Sequence, residues 1–248
     1  MGGIDQRVVL GTDPGSGGNR AQAVIREMIG DLGDQAQERI AGCHIVASQP
    51  LLYGDVYRGA GLMAWLLKDP ETAISYYQQA LALFTNAGDA RRMMYVLNGL
   101  GCVALEKQAE DAARQYFLQS LQMAELTVDS SMAATLYGNL GYVAMRRRDW
   151  RAAEEHMQSC LVIHREQQLH DAWPLQNLGA LAQARGQWAQ SIAFFEQSLQ
   201  QYRRLGETYR IAEVLEQLAE VLEQYGDPRE ADRCRQESQA LYVHLRSS

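Results

Sequence analysis

The stretch Asn139-Leu140-Gly141 contains a Leu-Gly pair that returns along the chain at nearly constant intervals. The same pair occurs at residues 100–101 and 178–179, and small residues stand in register before and after, at Gly61 and Ala219. The four steps between these positions are 40, 40, 38 and 40 residues. A period in this range is typical of helical hairpins stacked one on the next. The sequence therefore predicts an all-α repeat fold.

Four further columns repeat in the same register when Gly141 and its equivalents are numbered position 8. Small residues recur at positions 11, 20 and 27, and a bulky residue recurs at position 24. Small residues at positions 8 and 20 allow two antiparallel helices to approach closely, and the bulky residue fills the next groove. The residues at position 24 are Tyr77, Phe117, Met157, Phe195 and Arg235.

This pattern resembles the tetratricopeptide repeat (TPR) family. The resemblance implies a right-handed α-solenoid of antiparallel helical hairpins, a TPR-like superhelix, with five repeats over residues 51–248. The period is longer than the family's basic repeat of about 34 residues, which predicts longer helices. Long repeats with Asn-Leu-Gly resemble those of kinesin light chain and of sensor arrays in bacterial signal-transduction ATPases and activators. The last helix is more polar than its counterparts, which predicts a C-terminal cap.

The first 50 residues are predicted to differ from the array. Residues 1–19 are rich in glycine and poor in apolar residues, which indicates a flexible lead. Residues 20–50 carry apolar residues at helical spacing on both sides of Gly33-Asp34, which predicts a degenerate N-terminal helical hairpin. These apolar residues are Ala21, Val24, Ile25, Met28, Ala36, Ile40 and Cys43.

The charge and cysteine content exclude several classes of function. The net charge of −7 argues against nucleic-acid binding and against attachment to an anionic membrane surface, since both need clustered Lys and Arg. The apolar runs are too short for a transmembrane helix. The four cysteines are far apart and form no Cys-x-x-Cys motif, which favours a reduced, cytoplasmic protein.

No residue grouping predicts an enzyme, a metal site or a cofactor. His156, Cys160 and His164 have the i, i+4, i+8 spacing of helical metal ligands, but Cys160 occupies the small packing position 27. A buried thiol is the better interpretation. The basic run 146–151 falls at a turn between helices, where arginines point outward.

By resemblance to the family, the first helix of each hairpin lines the concave, ligand-binding face. Asn side chains there can bond peptide amides, and aromatic side chains supply contact area. The alternative is structural, with the Asn side chains bonding neighbouring helices and the Trp side chains partly buried. The candidates are Arg58, Trp65, Tyr95, Asn98, Asn139, Tyr142, Arg146, Trp173 and Asn177.

The fifth repeat has an acidic stripe formed by Glu213, Glu216, Glu220 and Glu223. Their i, i+3, i+7, i+10 spacing places four carboxylates along one face of a helix. A basic partner segment would relieve their repulsion, and the alternative is a solvated terminal face.

The sequence as a whole predicts a non-catalytic scaffold that binds a protein or peptide segment. The alternative is a sensor or oligomerisation module of a bacterial signalling or transcription-regulatory system. Self-association into a homo-oligomer stays open. Genes for an ATPase or a DNA-binding module beside this one would favour the alternative.

Overall fold

A computed structural model describes residues 50–247. The predicted flexible lead, 1–19, and nearly all of the predicted hairpin, 20–50, lie outside the described residues. The described part is all-α, as predicted, and contains no strand. Its helices are α1 (Pro50–Leu66), α2 (Pro70–Ala87), α3 (Ala90–Glu106), α4 (Glu110–Leu126), α5 (Ser130–Arg146), α6 (Trp150–Glu166), α7 (Ala172–Ala184), α8 (Trp188–Leu205), α9 (Thr208–Tyr225) and α10 (Pro228–Ser247).

The described residues fall into two compact units, 50–136 and 137–247. The first unit contains α1 to α4 and the start of α5, and the second contains the rest of α5 and α6 to α10. Successive helices pack as hairpins, α1 with α2 and α3 with α4 in the first unit, α7 with α8 and α9 with α10 in the second. Their short connections make the paired helices antiparallel.

At position 8 the two helices of a hairpin are in close contact. A Cβ atom added to Gly61 would lie 2.8 Å from Tyr77 Cδ1, and one added to Gly179 would lie 2.8 Å from Phe195 Cδ1. At Gly101 the added Cβ would overlap the Phe117 ring. The glycine of the first helix therefore makes room for the position-24 side chain of the second helix, which is fully or almost fully buried.

The last hairpin uses a different pair of residues at the same two positions. Ala219 stands at position 8 and is fully buried, and Arg235 stands at position 24 and is exposed. The Arg235 guanidinium forms an ion pair with Glu223 on α9. Because no ring enters the groove, the Ala219 methyl group can occupy the space that glycine leaves open elsewhere.

The small residues at position 27 also carry a hydrogen bond. The Ser120 Oγ donates to the Met94 carbonyl oxygen at 2.7 Å, and the Ser198 Oγ donates to the Ala172 carbonyl oxygen at 2.7 Å. The Ser238 Oγ makes the same bond to the Ala212 carbonyl oxygen at 2.9 Å. In each case the acceptor lies 26 residues upstream, at the start of the hairpin's first helix. A buried hydroxyl is thereby satisfied, and it ties the two helices together.

One turn geometry connects the helices. A residue in the left-handed conformation lies one or two positions after the end of each helix from α1 to α9. The N–H of the residue that follows it donates to a carbonyl oxygen five residues back, as Asp69 does to the Ala64 carbonyl oxygen at 3.0 Å. Within residues 50–247 the left-handed residues are Lys68, Gly88, Gln108, Val128, Arg148, Gln168, Gly186, Gly206 and Gly226.

The residue that completes such a turn often starts the next helix. The Asp69 carboxylate accepts from the Thr72 N–H at 3.1 Å, and the Asp149 carboxylate accepts from the Ala152 N–H at 3.2 Å. Hydrogen bonds from Thr72 lower the pKa of the Asp69 carboxyl. Ala109, at the same place before α4, has no side-chain acceptor to offer.

The single 38-residue step of the sequence has a local cause. α7 has 13 residues, whereas every other described helix has 17 to 20. The left-handed residues keep a spacing of 20 from Lys68 to Gln168, then 18 to Gly186, and 20 again. The two missing residues are therefore lost between Gln168 and Gly186, and the longer helices predicted from the period are present elsewhere.

The packing at position 8 predicts that Gly101→Ala is more harmful than Gly141→Ala. The new methyl group of Gly101→Ala meets the rigid Phe117 ring, whereas that of Gly141→Ala meets the flexible Met157 side chain, with 2.8 Å to Cε. We expect Gly101→Ala to lower the free energy of unfolding by about 1–3 kcal/mol, as overpacking does, and Gly141→Ala by less. Urea unfolding measures both, and equal losses would contradict this account.

The missing cap before α4 predicts a stabilising substitution. Ala109→Asp places a carboxylate where Asp149 has one in the equivalent turn, and should raise the free energy of unfolding by about 1 kcal/mol. Asp149→Ala should lower it by a similar amount. Thermal unfolding followed by circular dichroism tests the pair, and shifts of the same sign would show that the caps do not act as described.

Candidate functional site

In the first unit the neighbouring first helices, α1 and α3, are joined by charged side chains at their N-terminal ends. The Arg92 Nε lies 3.0 Å from Asp55 Oδ2, and the Arg92 Nη1 lies 2.6 Å from Asp89 Oδ2. The predicted ligand-binding residue Arg58 joins this group, with its Nε 3.8 Å from Asp55 Oδ1. Arg58 is therefore held on the surface by an acidic neighbour and is half-buried.

At the C-terminal ends of the same two helices, Trp65 is packed inside the unit. Only 1% of Trp65 is exposed, and its indole Nε1 donates to the Glu106 carboxylate. The Lys68 Nζ lies 2.9 Å from the other Glu106 oxygen. In the described conformation Trp65 thus has the packing role, which the sequence left as the alternative to ligand contact.

The other two predicted residues of this unit differ in accessibility. Tyr95, on α3, is 40% exposed and presents its ring to solvent. Asn98, one turn further along α3, is buried. Tyr95 is consequently available to a ligand, whereas Asn98 lies within the packed helices.

In the second unit, Asn139 is buried, Tyr142 is half-buried and Arg146 is exposed at the end of α5. The half-buried Trp173 indole lies over Gly138 on α5, so closely that a Cβ at residue 138 would overlap the ring. The Asn177 Nδ2 donates to the Trp173 carbonyl oxygen at 2.9 Å, within its own helix. Tyr142 and Arg146 thus reach solvent at this end of the unit.

Glutamine side chains join α7 to α9. The Gln176 Nε2 donates to Gln217 Oε1 at 2.9 Å, and Gln176 Oε1 accepts from the Tyr202 hydroxyl at 3.3 Å. Further along, the Gln183 Nε2 donates to Glu220 Oε2 at 3.4 Å. These bonds fix the spacing of the two helices and leave Glu220 exposed.

The acidic stripe on α9 is neutralised at only two of its four positions. The Arg210 Nη1 lies 2.9 Å from Glu213 Oε2, and Arg235 forms an ion pair with Glu223. Glu216 and Glu220 are exposed, and neither forms a salt bridge within residues 50–247. The uncompensated negative charge of the stripe is therefore concentrated at these two residues.

Next to this charge lies an aromatic pair that the sequence did not reveal. The Tyr209 and Tyr242 ring centroids are 5.9 Å apart with an interplanar angle of 70°, an edge-to-face arrangement. Burial raises the pKa of Tyr242 to about 12, with smaller contributions from Glu216, Tyr209 and Glu213. An aromatic surface beside carboxylates that form no salt bridge can receive the charged head and the apolar stem of a basic side chain.

The histidine and cysteine spacing on α6 does not assemble a site in the described residues. Cys160 is fully buried, and burial raises the pKa of its thiol to about 12. The His164 Nδ1 lies 2.6 Å from the His170 carbonyl oxygen. Across residues 50–247, no group of three His, Cys, Asp or Glu side chains is arranged to hold a metal ion. No helix in the same range has the length and apolar character needed to cross a membrane.

The contacts between first helices that the sequence analysis missed share a detectable signal. Asp55 and Arg92 are 37 positions apart, Trp65 and Glu106 are 41 apart, and Gln183 and Glu220 are 37 apart. Each partner lies about one repeat from the other. A search for complementary residues one period apart would have identified these contacts between first helices.

The same columns that build the hairpins are those of a known family. A family model described as tetratricopeptide repeat matches residues 53–125 and 170–242, and a second model with this description matches residues 133–166. The chain belongs to the tetratricopeptide repeat family. The all-α TPR-like fold predicted from the columns is thereby confirmed.

Solved TPR-like structures resemble the chain over most of its length. BtubC (BKLC) from P. vanneervenii is 16% identical, with a TM-score of 0.77, covering 90% of this chain and 93% of that one. A putative kinesin light chain TPR-like repeat protein from Podosopora anserina is 13% identical, with a TM-score of 0.66, covering 81% and 99%. A Rap protein complexed with competence and sporulation factor is 14% identical, with a TM-score of 0.60, covering 92% and 72%. No curated protein matches the sequence.

The environment of Tyr242 predicts a loss of stability at alkaline pH. Its pKa is about 12 in the folded protein, against about 10 for an unfolded tyrosine. Between these values the unfolded chain loses the proton and the folded chain keeps it, so stability should fall as pH rises from about 10 to 12. Urea unfolding across this range should show a shallower fall for Tyr242→Phe. Identical slopes for the two proteins would contradict the described environment.

Proposed function

We propose that this TPR protein is a non-catalytic scaffold that binds a protein or peptide segment through the exposed side chains of its first helices. The tetratricopeptide repeat fold supports an interaction scaffold, as does the Rap protein of similar fold, which was crystallised with competence and sporulation factor. Tyr95 in the first unit, and Tyr142 and Arg146 in the second, are the accessible candidates.

The second unit binds a basic segment at α9. The observation that carries this assignment is the pair Glu216 and Glu220, exposed and without a salt bridge within residues 50–247. Glu213 and Glu223 already have arginine partners and contribute less. The Tyr209–Tyr242 pair adds an aromatic surface near Glu216, against which a lysine or arginine stem packs.

Charge reversal at Glu216 and Glu220, the two glutamates without a salt bridge, tests this assignment. The probe is an array of 15-residue peptides of graded charge. The affinity of each retained peptide is then measured by fluorescence anisotropy. We expect the wild-type chain to retain basic peptides, and Glu216→Lys combined with Glu220→Lys to weaken their binding about tenfold, or about 1.4 kcal/mol. Added salt should weaken wild-type binding as well.

A matched control separates a local effect from a change in net charge. Glu166 and Glu196 are exposed on α6 and α8, and reversing both changes the net charge by the same amount. This control should bind like the wild-type chain. Equal losses in the two double variants, or peptide binding that neither salt nor the α9 substitutions change, would remove the support for a basic partner.

A further inference from the structure

α1 carries an apolar stripe formed by Leu52, Val56, Gly59, Met63 and Leu66. Their spacing of four, three, four and three residues places them along one face of the helix. Leu52 is 56% exposed, Val56 is 38% exposed and Leu66 is 37% exposed. Several large apolar side chains in a row on one helix are thus left without a covering partner.

On later first helices the equivalents of Val56 and Met63, in the middle of the stripe, are covered. Forty residues after Val56 and Met63 stand Val96 and Val103 on α3, and both are fully buried. Val214 and Val221 hold these positions on α9, and they lie in one core cluster with side chains of the preceding helix, α8. In this architecture the stripe is therefore the surface on which the preceding hairpin packs.

The surroundings of Gly59 on α1 and of its equivalent on α3 also differ in whether a neighbouring side chain is present. A Cβ added to its equivalent, Gly99, would lie 2.7 Å from Cζ of Tyr77, which the preceding hairpin places there. A Cβ added to Gly59 would meet nothing within 4 Å. At Gly59 the stripe therefore has space for a side chain from a helix that precedes α1, and no described residue occupies this space.

The sequence upstream of α1 has the composition to fill this surface. Residues 21–48 end two positions before Pro50 and contain apolar residues at helical spacing, among them Ala36, Ile40 and Cys43. Their 28 positions are enough for two helices of three to four turns. We propose that the α1 stripe is the docking surface for residues 21–48, which bury their apolar face against it.

On the last helix, the positions that pack against the following hairpin in earlier repeats are polar. Phe195 and Leu199 on α8 lie 40 residues before Arg235 and Gln239 on α10, so a ring and a leucine are replaced by two polar side chains. Arg235 and Gln239 are both exposed. Head-to-tail stacking would set the apolar stripe of one copy against these polar side chains, which is unfavourable.

Cys43 provides a direct readout of this contact on the 248-residue chain. Cys102, Cys160 and Cys234 are buried, so their reaction with a thiol reagent such as DTNB is slow and Cys43 can serve as the reporter. If residues 21–48 dock on the stripe through the face that includes Cys43, labelling of that thiol in the wild-type chain should be slow. Val56→Asp puts a charge into the contact and should accelerate labelling about tenfold or more.

Two further variants make the result specific. Ile40→Asp changes the other side of the contact and should accelerate labelling to a similar degree. Leu126→Asp introduces the same charge at a 67% exposed residue on α4, outside the stripe, and should leave the rate unchanged. Circular dichroism shows whether each variant keeps its helices, and light scattering gives its mass.

Acceleration by Val56→Asp and Ile40→Asp, in chains that keep their helices and stay monomeric, supports the proposal. Equal labelling rates in the wild-type chain and all three variants would overturn it. A wild-type dimer that Val56→Asp converts to a monomer would also overturn it, because the stripe would then belong to an interface between copies.

Discussion

Each glycine-containing hairpin of this protein depends on a close contact between a glycine of the first helix and a bulky side chain of the second. At Gly61, Gly101 and Gly179 the first helix presents bare backbone, and the ring of the second helix lies directly on it. Dispersion and apolar burial are greatest where surfaces meet without a gap, so this contact fixes the separation of the two helices. The serine hydrogen bonds at position 27 have good geometry only at that separation. In the last hairpin a buried alanine, Ala219, stands in place of the glycine, and an exposed arginine, Arg235, stands in place of the ring.

The residues between these contacts are free to differ, and they give each pair of first helices its own surface. α1 and α3 are joined by Arg92 with Asp55 and by Glu106 with Trp65. α7 and α9 are joined by neutral glutamines and by Glu220. The residues that pack each hairpin and the polar residues that join neighbouring first helices therefore occupy separate columns of the repeat, so the polar contacts can change without loss of the fold.

The fold was predictable because each repeat places the same residue types at the same intervals. Gly141, Met157 and Ser198 could be assigned to packing from their columns alone. The surface was less predictable, because a column shows which face a residue occupies but not which neighbour lies beside it. The buried Trp65 indole donates to Glu106, and half of the acidic stripe is neutralised by Arg210 and Arg235. Those partners depend on the offset between helices, which periodicity does not specify.

The evenly spaced turns have a consequence for how such a chain changes length. From Lys68 to Gln168 a left-handed residue occurs every 20 positions, and from Lys68 to Arg148 the next helix begins two residues after it. If recombination duplicates or removes 40 residues at one of these turns, the end of one helix is joined to the start of another through the same kind of turn. A gain or loss of one whole hairpin therefore needs no new junction. The two-residue loss before Gly186, in contrast, left α7 one turn shorter than its counterparts.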